Sequence, residues 1–223
     1  MVEDENNFES LEVSLIDSIA KGEIKGLAAD FGEISLDALL DDGLLQSIPV
    51  VGTVARIYRA TISIRDRLFL RKVLLFLREF ADFSQAERKA FADRLDADEG
   101  SRENAGAALT LLLDRLDDLG KPAIGGRLYL ARLNDIISFD ELRRFCMILE
   151  RAHLPDLIAL ARLPTGARVD SIAAPYLEAL GLASITGQDY GTFDGIGAET
   201  WYEVNEQGIR FLSIAFQNQH SSE

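Results

Sequence analysis

Cys146, His153 and His220 are the residues of this 223-residue chain with the strongest intrinsic chemistry. A thiolate can attack an electrophile, and an imidazole can move a proton or hold a metal near neutral pH. Their surroundings assemble neither chemistry. Cys146 lies in Phe145-Cys146-Met147-Ile148, an apolar helical pattern without a neighbouring base, and reads as a small buried hydrophobe. His153 precedes Leu154-Pro155 with no second ligand at metal spacing, and His220 sits in a polar tail.

Carboxylates are the next group able to do chemistry. Asp114, Asp117 and Asp118 share part of a helix surface, and Asp93, Asp96, Asp98 and Glu99 cluster before Gly100. Such groups can take a hard cation. An EF-hand register fails, because aligning Glu141 with the twelfth loop position puts Leu130 at the first, where it cannot ligate. Solvated acidic faces are the reading that remains. Gly195-Ile196-Gly197 lacks the third glycine of a dinucleotide fingerprint and its strand-to-helix setting. No catalytic, metal-binding or cofactor-binding residue is therefore expected, and no cofactor.

Charge patterning carries more. Residues 1–43 hold 2 basic and 12 acidic side chains, whereas residues 44–72 hold 6 basic (Arg56, Arg59, Arg65, Arg67, Arg71, Lys72) and 1 acidic (Asp66). The stretch 44–80 is also apolar-biased. Either the two blocks dock intramolecularly, so that opposite charges cancel inside the fold, or the basic block meets an anionic partner. A basic amphipathic helix can also lie on an anionic membrane. The residues expected to carry interactions are Arg56, Arg59, Arg67 and Arg71 here, and Tyr176, Glu178, Tyr190 and Trp201 further on.

The whole chain has 23 basic and 37 acidic side chains, a net charge of -14. That balance argues against a general nucleic-acid binder. A single Cys excludes a disulfide scaffold and favours a reducing compartment. The first ten residues are acidic rather than basic, so no secretory leader is expected. No run of about 18 apolar residues is present, which excludes an ordinary membrane-spanning helix. The expected location is cytoplasmic, with peripheral attachment to the inner membrane as the variant tied to residues 44–80.

These residues must be positioned by helices. Leu11, Leu15, Ile16 and Ile19 predict a helix over 8–21, and Ser35 caps a second with Leu36, Leu39 and Leu40. From Pro49 to Phe80 the pattern is helical. Ser84 with Glu87, and Ser138 with Glu141, form capping boxes that open two helices. Between them lie a leucine-rich helix ended by Gly120 and a helix over Lys121 to Leu133. Then follow a helix over Leu154 to Leu160, one over Val169 to Leu180 ended by Gly181, and a strand over Leu182 to Thr186. A Gly-rich loop, a return strand over Trp201 to Val204 and a helix capped by Asn205 complete the chain. The fold class is mainly α. The expected organisation is an acidic helical segment over 1–43, a helical domain over 44–150, a small α+β module over 151–217 and a tail over 218–223.

Leu180-Gly181-Leu182, the glycine-rich hairpin and Tyr202-x-x-Asn205-x-x-Gly208 resemble a bacterial winged-helix module across residues 153–216. The resemblance implies a winged-helix-like fold and, by family habit, DNA recognition through the second helix of the pair. That helix departs from the habit. Residues 171–180 hold no Lys or Arg and include Glu178, and the hairpin carries Asp189, Asp194 and Glu199. Residues 150–223 hold 4 basic and 10 acidic side chains, which phosphates would repel. Further upstream, Ile48-Pro-Val-Val-Gly-Thr53 and Ser63-Ile-Arg-Asp-Arg-Leu-Phe-Leu70 are similar to bacterial helical proteins labelled as abortive-infection or phage-defence candidates. The function expected is that of a non-enzymatic bacterial interaction or regulatory protein, in keeping with phage defence, acting on a protein partner or on itself. The alternatives are a membrane-associating effector using residues 44–80 and a DNA-binding regulator.

Overall fold

The computed structural model describes residues 2–21, 48–57, 63–96, 101–164, 166–169, 172–189 and 199–216. Among these, the chain is mainly helical with one small antiparallel sheet, the fold class expected. The helix expected after Ser35, together with Arg59, Tyr190 and His220, lies outside the described residues. The chain divides into two compact units at residues 136 and 137.

The first unit contains α1 (Val2–Lys21), α2 (Pro49–Ile57), α3 (Ile64–Arg78), α4 (Gln85–Asp96), α5 (Ser101–Arg115) and α6 (Lys121–Leu133). Helix α1 packs on α2, α4 and α5, and α3 packs on α5 and α6. The heptad-like spacing of Leu15, Ile16 and Ile19 puts them on one side of α1, where all are buried with Val50, Val51 and Val54 of α2. Leu70, Val73, Leu74, Phe76 and Leu77 form the buried side of α3. Phe76 stacks edge-on against Tyr129 of α6, with ring centroids 5.5 Å apart. A Cβ on Gly126 would come within 2.8 Å of the Phe76 carbonyl, so α3 and α6 cross at a spot only glycine fits.

The docking of α1 on α2 uses hydroxyl groups. Ser14 and Thr53 share a 2.7 Å hydrogen bond, and the Val50 amide donates to Ser18 Oγ at 3.0 Å. Arg88 of α4 is buried and donates to Ile19 O at 2.7 Å, Phe80 O at 2.6 Å and Phe83 O at 2.9 Å. The Ile19 and Phe80 carbonyls lie at or just beyond the C-terminal ends of α1 and α3, where the helix dipole favours a cation, and Phe83 lies in the turn before α4. Burial lowers the Arg88 pKa, and neighbouring Glu87 opposes that shift.

Helical continuity from Pro49 to Phe80 does not hold as expected. A new helix starts at Ser63, whose Oγ accepts from the Asp66 amide at 3.2 Å while Asp66 accepts from the Ser63 amide at 3.0 Å. This is a capping box with Asp in the place of Glu, which the Glu/Gln pattern passes over. The boxes at Ser84 and Ser138 form as expected, with the Glu87 carboxylate accepting from the Ser84 amide at 2.7 Å and Glu141 from the Ser138 amide at 2.8 Å. The leucine-rich helix stops at Arg115 rather than at Gly120. Gly120 instead caps α6 and donates its amide to Asp118 Oδ1 at 2.7 Å.

The second unit contains α7 (Phe139–Arg151), α8 (Leu154–Ala161), α9 (Ala174–Ala179), β1 (Ala183–Asp189), β2 (Glu199–Val204) and α10 (Glu206–Ala215). The chain thus divides before α7 and not at residue 150. Phe145 packs edge-on against Phe211 at 5.4 Å, Arg210 pairs with Glu141 at 2.7 Å and Arg144 donates to Gln207 at 3.0 Å, so α7 belongs with α10. The helix expected from Val169 shrinks to Ala174–Ala179. Arg168 forms a β-bridge with Glu203, and the Val169 amide donates to Tyr202 O at 2.8 Å, which holds 168–169 extended. Gly181, at φ +80°, ends α9 as expected: Leu182 N donates to Leu177 O at 2.9 Å and Gly181 N to Glu178 O at 2.8 Å.

Candidate interaction surfaces

The outward side of α3 is the part of the basic stretch that the structure describes best. Ile64, Leu68 and Arg71 follow one another at four- and three-residue steps, so they lie on one line of the helix surface. Ile64 is 79% exposed and Leu68 46% exposed, and Arg67 and Arg71 are exposed beside them. Residues 64–69 of α3 hold no buried side chain, whereas Leu70, Val73, Leu74, Phe76 and Leu77 further along close the core.

Asp114 of α5 brackets this surface. Both of its carboxylate oxygens accept from Arg65 Nη2 at 3.1 Å, and its backbone carbonyl accepts from Lys72 Nζ at 3.0 Å. Burial pushes the Lys72 ammonium below its ordinary value, Asp114 and Asp117 oppose the shift, and Arg65 adds to it. Leu111 stands one turn before Asp114 on α5, on the same side, and is 54% exposed. The sequence pattern set Arg65 and Lys72 among the six cations and Asp114 on an acidic helix surface but gave no sign that they meet, because that depends on how two helices pack.

The expected cancellation of charge takes a different form at these residues. Arg65 finds its carboxylate on α5 rather than in the N-terminal segment, and Asp17 of α1 pairs with Arg102 of α5. Arg56 lies on α2, and Arg67 and Arg71 share the outward side of α3.

In the second unit, Phe139, Arg143 and Met147 fall along one side of α7 at four-residue steps. Phe139 is 61% and Met147 45% exposed. Tyr176 and Glu178 are both exposed on α9, and the Tyr176 hydroxyl donates to Arg151 O at 2.5 Å, which ties α9 to the end of α7. Trp201 lies on β2, half-buried. The Arg168 guanidinium sits 4.5 Å from its ring centroid, and its cross-strand partner is Gly187, where a Cβ would overlap the indole. The Arg168–Trp201 stack fastens the extended 168–169 segment to the hairpin.

Packing around the half-buried Cys146 pushes its thiol up to about 12, with Glu150 adding to the effect, so at neutral pH it stays protonated and is a poor nucleophile. His153 precedes α8 and lies 3.6 Å from Asp156. Asp117 pairs with the buried Lys121 at 2.5 Å, so Asp114, Asp117 and Asp118 each hold a cation or an amide of their own chain. No group of three His, Cys, Asp or Glu arranged to hold a metal occurs among the described residues. A cavity of about 250 Å³ opens between α4 and the end of α6, lined by Phe83, Phe91, Arg94, Leu133 and Asp135 among others. It is smaller than usual small-molecule sites, and Arg94 is drawn to Leu133 O at 3.3 Å and Asp135 at 3.6 Å.

Comparison with family models, with curated proteins and with solved structures returned no match. No helix among the described residues is long and apolar enough to cross a membrane.

Proposed function

We propose that this chain is a non-enzymatic interaction or regulatory protein that works through protein–protein contacts. The observation that carries the reading is the gathering of exposed apolar side chains into lines on single helices. Phe139 and Met147, with Arg143 between them, are the example in the second unit. An aromatic, an arginine and a methionine are the residue types enriched where protein interfaces form. The winged-helix resemblance adds a module often used for recognition, and the acidic helix and hairpin of this copy suit a protein surface better than phosphates. The resemblance to phage-defence candidates makes a bacterial defence setting the context we favour.

The reading is tested by affinity capture with the tagged full chain from a native bacterial lysate. A protein should co-purify in stoichiometric amount, and Phe139→Ser with Met147→Ser should weaken its capture. If nothing co-purifies and the purified chain stays monomeric in sedimentation, the reading is wrong.

A further inference from the structure

We infer that the α3–α5 surface of the first unit docks an acidic amphipathic helix from a partner protein. The inference rests on the interaction reading above and adds the chemistry of the partner. Three exposed apolar side chains, Ile64 and Leu68 from α3 and Leu111 from α5, come from two helices joined at Asp114. Arg67 and Arg71 are exposed on α3 with them, and Arg65 and Lys72 are held at the Asp114 edge. Asp66 faces its own helix end, bound to Ser63, and Asp114 is occupied by Arg65 and Lys72. Arg67 and Arg71 thus set cations beside exposed apolar side chains on α3, on a chain whose net charge is -14.

That sign reversal selects the partner. Exposed cations attract and orient an acidic surface, and a mismatch of charge excludes basic ones. Apolar contacts spaced by one helical turn on two neighbouring helices match the side chains that an amphipathic helix presents at i, i+3 or i+4, and i+7. An anionic membrane fits less well. Three apolar side chains offer less buried hydrocarbon than a single acyl chain, which by itself anchors only marginally. Nucleic acid would leave Ile64, Leu68 and Leu111 without an apolar counterpart.

The experiment uses the full chain and a fluorescein-labelled helical peptide with Leu at turn spacing and Glu flanking it, read by anisotropy. The controls are a scrambled peptide of the same composition and vesicles rich in phosphatidylglycerol. The ordered peptide should bind, should weaken as salt is raised, and should lose about tenfold in affinity with Leu68→Ser or Arg71→Glu while Arg71→Lys retains most of it. Both positions are exposed, so circular dichroism of the variants should match the parent. Equal binding of the scrambled peptide, indifference to L68S and R71E, or a preference for the vesicles would overturn the inference. So would self-association of the purified chain that L68S abolishes, since the occupant would then be a second copy. In the lysate capture, a partner held equally by parent, L68S and R71E sinks this inference alone. Capture of nothing by any of them, with the purified chain monomeric in sedimentation, sinks the interaction reading as well.

Discussion

Asn205 and Gly181 are joined by a 3.1 Å hydrogen bond from the side-chain amide of the first to the carbonyl of the second. The same amide reaches Ala183 O at 3.1 Å, while Asn205 Oδ1 accepts from the Gly208 amide at 2.8 Å. One side chain therefore caps α10, secures the end of α9 and fixes the start of β1. Losing it should cost more than an ordinary N-cap. Asn205→Ala is expected to destabilise the second unit by about 2 kcal/mol, and Asn205→Asp, which keeps the cap but not the donors, by less. Trp201 is the only tryptophan of the chain and lies in this unit, so urea unfolding followed by its fluorescence measures both.

Gly208 faces the Leu182 backbone so closely that a Cβ would overlap the carbonyl oxygen. The obstacle is backbone and cannot rotate away. Gly208→Ala should separate α10 from β1 and cost about 2–3 kcal/mol. Gly166 supplies the contrast, since it has φ +78° and open space around it. Gly166→Ala should cost only the left-handed backbone strain, about 1 kcal/mol. Equal midpoints for the two variants would contradict the packing described for Gly208.

Arg88 holds the ends of α1 and α3 through three backbone carbonyls. Arg88→Ala leaves those acceptors without a donor in a buried site. It should lower the stability of the first unit by about 3 kcal/mol, with Arg88→Lys recovering only part because an ammonium cannot span the same fork. Thermal melting by circular dichroism reads this loss. Trp201 fluorescence should stay unchanged until the second unit melts.

The Cys146 thiol, raised from about 9 to about 12, ties stability to alkaline pH. The unfolded thiol ionises first, so the folded state loses stability as pH rises through about 9 towards 12. Cys146→Ala should flatten that alkaline decline. Iodoacetamide at mildly alkaline pH should label the native chain far more slowly than the chain in urea. Rapid native labelling would show a reactive thiol and reopen a nucleophilic role.

Much of the local architecture is legible in the residues themselves. Helix α6 spans Lys121–Leu133 as its pattern predicts, and the boxes at Ser84 and Ser138 start helices where Glu at the third position can reach back. Gly181 and Asn205 end and begin helices for reasons confined to a few neighbouring residues. The second start, at Ser63, escapes the pattern because Asp does there what Glu does elsewhere. Residues 168–169 escape it for another reason. Their apolar spacing suits a helix, and the amide of Val169 goes to Tyr202 instead, more than thirty residues away.

What the sequence by itself determined is the mainly helical class, most helix starts and stops, the small hairpin and the opposed blocks of charge. Each depends on hydrogen bonds and side-chain periodicity within one or two turns. Tertiary structure alone decided that α7 joins α10 and that Asp114 gathers Arg65 and Lys72. Those pairings join residues more than forty positions apart, and only the packing of one helix face on another chooses among the partners that charge and hydropathy leave open.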